Sequence, residues 1–240
     1  NGENILRHKG KSIFLGPARQ STKIKSKIPY YVRIERIIRD LPMENTVVGP
    51  KTNLRQEINR HTKNSVASKN RKNNNAVFSV GESDKTKKEK MICHCIRCRE
   101  VQKNFDDKEK AILFREDYEA SLGKEIFLSF ENKKRNKLYS LLRLRIPSPL
   151  GSRAPKCFAV LKNSAIIREV HTYGQSIPIS ATKKAPQHKG FGRRLITEAE
   201  KITKKEFGLN KITVISGVGV RGYYKKLDYK LRNEYMIKNL

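Results

Sequence analysis

Apolar residues in the second half of the chain fall into short runs of the length of β-strands, with one long amphipathic run among them. The run at 193–207 repeats its apolar residues at the helical interval, so it predicts a helix, and a shorter helix is predicted at 222–227. The runs that predict strands are 125–130, 138–146, 157–161, 165–173, 211–216 and 235–238. The first two runs are consecutive and close together, which favours an antiparallel pair.

The order of these elements predicts the fold class. Consecutive strands come first, and single helices and strands alternate only after them. This order indicates an α+β protein with a mixed sheet and flanking helices, and it lacks the regular βαβ repeat of a dinucleotide-binding fold.

The first half of the chain has weaker patterning. The segment 28–41 is rich in β-branched residues and predicts a strand, although its three-residue arginine spacing also fits a helix. Pro42 ends this segment, and Asn53 suits the N-cap of a helix that begins there. Residues 60–90 carry mostly Lys, Asn, Ser and Arg, which is typical of a flexible linker or insertion.

The net charge of the chain predicts the kind of partner that it binds. The chain of 240 residues has 53 Lys and Arg against 23 Asp and Glu, a formal net charge of +30. A polyanion is the expected partner, and nucleic acid ranks above a membrane because no run approaches the roughly 18 apolar residues of a spanning helix. A lysine-rich proteome from a hot or AT-rich source is the alternative explanation of the excess.

Cysteine usage predicts the compartment and a metal site. The chain has four cysteines, and Cys93, Cys95 and Cys98 form a C-x-C-x-x-C cluster that does not resemble a disulfide framework. With no apolar signal segment at the start, a cytoplasmic, reducing location is expected. Three thiolates within reach of one ion predict structural zinc, with three unligated cysteines as the alternative. His94 is cramped as a fourth ligand, and His171 and Cys157 are distant in sequence.

The segment Gln187–Gly192 reads Q-x-x-G-x-G directly before the predicted long helix. Glycines let consecutive N–H groups curl around one anion, and the first turn of the helix adds unpaired donors and the positive end of its dipole. The segment therefore predicts a pyrophosphate site, and a tight turn without a ligand is the alternative.

Together, the turn, helix, strand and the pair Tyr223 and Tyr224 resemble the GNAT acetyltransferase superfamily. More narrowly, the chain resembles the catalytic subunit of Elongator, of archaeal type, over residues 28–60 and 91–240. The matching segments are Tyr31–Pro42, Asn53–Gln56, Cys93–Val101, Arg168–Ile179, Gln187–Gly192, Glu198–Ile202 and Lys211–Leu231.

This resemblance implies a set of site residues. Acetyl-CoA would lie between two splayed parallel strands, here 166–173 and 212–216. The implied cofactor-binding residues are Glu169, Val170, His171, Thr172, Gln187, His188, Lys189, Gly190, Phe191, Gly192, Arg193 and Tyr224. Tyr224 is the implied catalytic tyrosine near the thioester, with Tyr223 as the second choice. Glu169 and His171 are further catalytic candidates that share one face of a strand.

The resemblance also implies domains and a reaction. Residues 1–60 would be the tail of a radical SAM α/β domain (1–27 unassigned), 61–90 a linker or insertion, and 91–240 a GNAT domain with a cysteine-rich opening segment. The family uses acetyl-CoA, S-adenosylmethionine and an iron–sulfur cluster to build a carboxymethyl-type group on the wobble uridine of tRNA. The cluster's C-x-x-x-C-x-x-C triplet does not occur in this sequence, so we expect a truncated copy or a fragment that lacks the radical step.

The resemblance also implies binding partners. The anticodon region of tRNA is the expected substrate, with a radical SAM portion or a second copy of the chain as a further partner. The residues expected on tRNA phosphates are Arg33, Arg36, Arg39, Lys51 and Arg55. A solvated basic face is the alternative for these cations. Two other functions are open: an RNA-binding module with a decayed GNAT fold, and a protein lysine acetyltransferase.

Overall fold

The computed structural model describes residues 24–35, 92–101, 105–106, 108–147, 156–174 and 189–240. The chain divides into two compact units, Asn1–Cys98 and Arg99–Leu240. The sheet lies in the second unit, whereas the three clustered cysteines lie in the first.

In the first unit, the strand or helix predicted at 28–41 is wrong over its described part. Residues 28–35 form turns and irregular chain, beginning with a turn in which the Val32 N–H donates to the Pro29 carbonyl. Pro29 has no N–H to give to a strand partner. The short helix α1, Ile96–Arg99, begins where the Ile96 N–H donates to the Val32 carbonyl at 2.9 Å. The rest of that prediction, and the helix start at Asn53, lie outside the described residues.

The second unit is built on one mixed sheet, in the strand order β1-β2-β3-β4-β5-β7-β6. Its strands are β1 Ile112–Ala120, β2 Gly123–Glu131, β3 Leu138–Pro147, β4 Ala165–Thr172, β5 Lys211–Ile215, β6 Lys230–Arg232 and β7 Tyr235–Asn239. The β4–β5 pair is parallel and the other pairs are antiparallel. The predicted antiparallel pair in the first part of the sheet is therefore confirmed as β2 and β3.

Helices connect the strands on the β5 side of the sheet. The long helix α2 spans Phe191–Lys205 and the short helix α3 spans Arg221–Lys225, close to their predicted bounds. A 3₁₀ turn at Val218–Val220 leads into α3. The strand predicted at 157–161 is wrong, because Lys156–Leu161 forms a 3₁₀ helix. Its short apolar run fitted a strand and a buried helical turn equally well.

Two strands were not predicted from the sequence. β1 carries four charged residues in its nine, and its side chains alternate in exposure along the strand. A two-residue turn, Ser121 and Leu122 at positive φ, joins it to β2, as in tight hairpins. β6 has only three residues, all exposed, and a second positive-φ pair, Asn233 and Glu234, turns it back onto β7.

Packing of α2 on the sheet forms the core of this unit. Leu195, Ile196, Ala199 and Ile202 of the helix are buried, and so are the facing residues of β2, β3 and β5. At the start of the helix, Phe191 is only 4% exposed and its ring lies 5.0 Å from that of Phe130. This packing fixes the N-terminus of α2 against the sheet, beside the end of β4.

Candidate functional site

The paired strands β4 and β5 separate part-way along their length. Hydrogen-bonded pairing joins Ala165–Ile167 of β4 to Ile212–Val214 of β5. Beyond Ile167, β4 continues to Thr172 and pairs with β3 alone, while β5 stays paired with β7. The two strands therefore leave a cleft in which backbone groups of β4 have no partner on the β5 side within the described ranges, although buried backbone groups are almost always paired.

A β-bulge in β4 lies where the cleft opens. Arg143 of β3 pairs with Glu169 and Leu144 pairs with Ile167, so Arg168 is an extra residue in β4. Such a bulge bends the strand and increases its twist. The guanidinium of Arg168 donates to the Glu125 carboxylate at 2.7 Å, which anchors the bulge to β2.

At one end of the cleft, α2 presents an N-terminus without a side-chain cap. Gly190 precedes the helix at φ 66°, a left-handed conformation that favours glycine, and no acidic residue stands in the first turn. Arg193 and Arg194 stand there instead, contrary to the usual preference at the positive end of a helix dipole. The donors and charges at this end suit an anion. Gln187 and His188 of the predicted turn lie outside the described residues.

Gly192 connects the helix start to the cleft. A Cβ at this position would lie 3.4 Å from the Tyr223 hydroxyl, 3.7 Å from Thr172 Oγ1 and 4.0 Å from Val170 Cγ1. The structure therefore brings together three elements that the sequence separates: β4, the start of α2, and α3. Glycine keeps open the small space between them.

The two adjacent tyrosines have different surroundings. Tyr224 is 6% exposed and packs edge-on against Tyr223 and Tyr229, with ring centroids 5.4 and 5.7 Å away. Burial raises the pKa of Tyr224 to about 12. Tyr223 is 41% exposed; burial raises its pKa as well, and the positive charge of Arg193 opposes that rise. Tyr223 thus places its hydroxyl beside Gly192, while Tyr224 forms the wall behind it.

Glu169 and His171 share a face of β4, as predicted, and that face is opposite to the one that carries Val170 and Thr172. Glu169 lies opposite Arg143 in the register and accepts a hydrogen bond from its Nε at 2.9 Å. The His171 imidazole packs on Tyr173, with ring centroids 4.3 Å apart. Strand alternation therefore divides the predicted residues of β4 between two faces.

Two polar side chains near the cleft were missed in the sequence. Ser216 follows β5 directly and Arg221 begins α3, and each has a buried polar atom, Oγ and Nε, without a hydrogen-bond partner among the described residues. Such atoms are unfavourable unless a ligand or water satisfies them. In the sequence, only their positions distinguish them: Ser216 follows β5, and Arg221 is the first residue of α3.

In the first unit, the three cysteines form a compact cluster. The Sγ atoms of Cys93, Cys95 and Cys98 all lie within 4.8 Å of one another. Tetrahedral zinc with bonds of about 2.3 Å separates its sulfur ligands by roughly 3.8 Å, so small shifts fit this donor set. Hydrogen bonds from the other two thiols lower the pKa of Cys95. The His94 ring stacks on Tyr30, 4.6 Å between centroids, and is not part of the cluster.

Comparison with known proteins identifies relatives over nearly the whole chain. No protein-family model matches it. The tRNA uridine(34) acetyltransferase of Dehalococcoides mccartyi is 39% identical over 222 residues, 90% of this chain and 42% of that protein. The Elongator complex protein 3 of Schizosaccharomyces pombe is 38% identical over 221 residues, 90% of this chain and 36% of that protein. The chain is a homologue of the proteins named Elongator complex protein 3 and tRNA uridine(34) acetyltransferase.

A solved structure supports this relationship. The archaeal Methanocaldococcus infernus Elp3, with an N-terminal deletion of residues 1-46, superposes with a TM-score of 0.69 and 36% identity. The match covers 93% of this chain and 48% of that one. The chain spans about two fifths of the length of the curated Elongator relatives that it matches. The expected resemblance is confirmed, and the mixed sheet with flanking helices is the fold that the relatives support.

Other predicted features are only partly described. Of the cations expected on tRNA phosphates, Arg33 lies among the described residues and takes part in interactions there. Arg36, Arg39, Lys51 and Arg55 lie outside them. Within the described part of this Elongator relative, no helix is long and apolar enough to cross a membrane.

Proposed function

We propose that the second unit binds acetyl-CoA and supplies the acetyl group for modification of the wobble uridine of tRNA. The cleft between β4 and β5, with the uncapped start of α2 at its end, is the observation that supports this most. The names of the relatives, tRNA uridine(34) acetyltransferase among them, supply the substrate class. Acetyl-CoA contributes an acyl thioester, and this chain contributes the groups that hold and polarise it.

The pyrophosphate end is assigned to the start of α2. Backbone N–H groups of Gly192 and Arg193 lie in the first turn, where no intrahelical acceptor is available. Two arginines at this position destabilise a free helix slightly, and a bound diphosphate reverses the sign of that interaction. Phe191 contributes its backbone alone, because its ring belongs to the core. Gln187, His188, Lys189 and Gly190 would complete the cradle.

The pantetheine arm is assigned to the unpaired edge of β4. An extended chain that carries amide groups can pair with the backbone of Glu169, Val170, His171 and Thr172, as an added strand pairs with a sheet edge. Ser216 Oγ and Arg221 Nε, which have no hydrogen-bond partner in the described part of the chain, are two further polar atoms that the arm could satisfy.

For the chemical step, we assign Tyr224 to the thioester, with Tyr223 as the alternative. A phenol whose pKa lies near 12 keeps its proton at neutral pH, so it can donate to a leaving thiolate. The exposed hydroxyl of Tyr223 beside Gly192 is the reason to test both rings. The carboxylate of Glu169 is held by Arg143. We therefore propose that Glu169 and His171 position β4 against the cofactor and do not transfer protons themselves.

We further propose structural zinc at Cys93, Cys95 and Cys98, whose compact donor set suits a soft metal. Metal analysis of protein purified without added zinc tests this. One zinc per chain is expected, and its loss in the variant Cys95→Ser should follow. A chain that carries no stoichiometric metal would exclude the site. The iron–sulfur cluster and S-adenosylmethionine of the family have no C-x-x-x-C-x-x-C ligand set in this sequence, so no radical step is assigned to it.

Calorimetric titration with acetyl-CoA is the test of the main proposal. We expect saturable binding, followed by release of free CoA that tRNA stimulates and a histone-tail peptide does not. Tyr224→Phe should lower that release by about a hundredfold with unchanged acetyl-CoA affinity, and Tyr223→Phe by less. Absence of acetyl-CoA binding would favour an RNA-binding module with a decayed fold. Stimulation by the peptide alone would favour a protein lysine acetyltransferase.

A further inference from the structure

A groove of about 850 Å³ lies at the far end of the sheet, away from β1. Its walls come from β6, β7, the start of β5 and the 3₁₀ helix that precedes β4. Three of its lining residues are cations, Lys211, Lys230 and Arg232, and one is an acid, Asp228. We call this the edge groove.

Strand register places the three cations on one face of the sheet. Lys211 lies opposite Asn239, Lys230 opposite Ile237, and Arg232 opposite Tyr235. Residues two apart on β7 point to the same side, so the three partners and their cations share that side. The positive charges of Lys230 and Arg232 therefore repeat at about 7 Å along the edge strand.

These cations have no ion pair among the described residues, unlike a neighbour on the opposite face. Lys238 of β7 points to the α2 side, where its Nζ lies 3.1 Å from the Glu200 carboxylate. In the edge groove, burial lowers the pKa of Lys211, and Asp228, the one acid of the lining, forms no ion pair with it among the described residues. A partly desolvated ammonium is stabilised when an anion binds.

We propose that the edge groove binds the phosphate backbone of RNA. This rests on the proposed function for the identity of the RNA, a tRNA, and adds the surface that holds it. An acidic peptide would use the free edge of β6 as a strand partner, but a three-residue edge strand that carries Lys and Arg opposes such pairing. Phosphate groups bind to Lys and Arg side chains without a free strand edge, and the net charge of +30 favours a polyanion as the partner.

The groove and the cleft lie at opposite ends of β5. Lys211 begins the strand, and the cleft opens near its last residue, Ile215. Four residue steps separate these ends, roughly 13 Å of strand. An RNA backbone in the edge groove would therefore lie about one strand length from the cleft and leave the path of the acyl donor free.

The test compares two variants that lose the same charge. The groove variant is Lys211→Gln, Lys230→Gln, Arg232→Gln, and the control is Lys133→Gln, Lys134→Gln, Lys204→Gln, whose three lysines are exposed in the β2–β3 turn and on α2. Fluorescence anisotropy with labelled tRNA, from 0.05 to 0.3 M salt and without acetyl-CoA, gives affinity and salt dependence. Circular dichroism and thermal melting confirm that both variants fold.

We expect the groove variant to reduce the slope of log K against log salt by about 2, and to bind tRNA about a hundredfold more weakly at 0.1 M salt. The control should change both much less. Equal losses in the two variants would overturn the proposal, because net charge alone would explain them. So would unchanged tRNA binding together with loss of poly-glutamate binding, which would assign the groove to an acidic protein. Acetyl-CoA affinity is measured separately, so failure of the cleft assignment remains distinguishable.

Discussion

The two halves of the sheet use their charged residues differently. In β1–β4, arginines and lysines are held by carboxylates: Arg115 by Asp117 and Glu206, Arg143 by Glu169, and Lys137 by Glu109. Around β5–β7 and the start of α2, Lys238 is paired with Glu200, but four other cations have no ion pair among the described residues: Lys211, Lys230, Arg232 and Arg193. Charges of the first kind stabilise the protein, whereas charges of the second kind are available to anionic ligands.

This contrast predicts how substitutions of charged residues will act in each half of the sheet. Substitutions of charged residues in the paired half should change the free energy of unfolding and leave ligand binding intact. Substitutions in the open half should change ligand binding at nearly constant stability.

The largest expected effect is at Glu131, the buried centre of the paired half. Its side chain is fully buried and lies 2.6 Å from Arg99 and 3.2 Å from Arg135. Removing one partner leaves a buried guanidinium without its counter-charge, so Glu131→Gln should cost about 3–5 kcal/mol of unfolding free energy. Urea denaturation measures it.

Glu206→Gln is the matched control for that prediction. Glu206 also binds an arginine, Arg115, at 2.7 Å, but its side chain is 43% exposed. An exposed ion pair contributes about 0–1 kcal/mol, and salt weakens it further. If the two variants lost equal stability, burial would not be what distinguishes the paired half.

A smaller effect is expected at Gly192, where binding and stability should move in opposite directions. Alanine there is compatible with the fold, since its Cβ would approach Tyr223 Oη to 3.4 Å, and replacing a helical glycine stabilises by up to about 1 kcal/mol. The same methyl group fills the space beside Val170 and Thr172. Gly192→Ala should therefore raise the melting temperature slightly and weaken acetyl-CoA binding about tenfold, a change of about 1.4 kcal/mol.

Gly219→Ala is the control for Gly192. A Cβ at Gly219 would have no neighbour within 4 Å, and its backbone is not left-handed. This variant should keep wild-type acetyl-CoA affinity in the same calorimetric titration. Unchanged affinity in Gly192→Ala as well would remove the start of α2 from the binding site.

The sequence was sufficient for the elements whose apolar pattern is dense. β2, β3 and α2 are predicted within a few residues, because their apolar residues face a core on at least one side. β1 was missed because one of its inward positions, Glu116, is a charge that becomes acceptable only through Arg135, nineteen residues later. β6 was missed because its three exposed residues form a strand only when β7 is present.

For the candidate site, the sequence predicted which groups could bind an anion better than it predicted how the strands and tyrosines are arranged. Glycines before a helix indicated an anion site, and Gly190 has the left-handed backbone that this requires. The separation of β4 from β5 begins at one extra residue, Arg168, whose bulge is visible only in the register with β3. The different burial of Tyr223 and Tyr224 depends likewise on α3 and Tyr229.

The smallest effects are expected from pH, and they differ in direction between the two halves. In the paired half, hydrogen bonds from Lys137, Asn132 and Tyr139 lower the pKa of Glu109 to about 2. A carboxyl whose folded pKa is depressed stabilises the protein above its unfolded pKa, and this stabilisation is lost as pH falls toward 2. Glu109→Gln should therefore flatten the acid limb of a stability curve, as urea denaturation at pH 2–6 would measure.

In the open half, the tyrosines behind the cleft should act at the other end of the pH scale. An unfolded tyrosine loses its proton near pH 10, whereas burial raises the pKa of Tyr224 to about 12. Between these values the unfolded chain has released a proton that the folded chain retains, so stability falls as pH rises. Urea denaturation of wild type and Tyr224→Phe at pH 9 and 11 should show a decline that is smaller by about 1 kcal/mol in the variant. Identical declines would mean that the Tyr224 hydroxyl is hydrated, and the wall of the cleft would then be open to water.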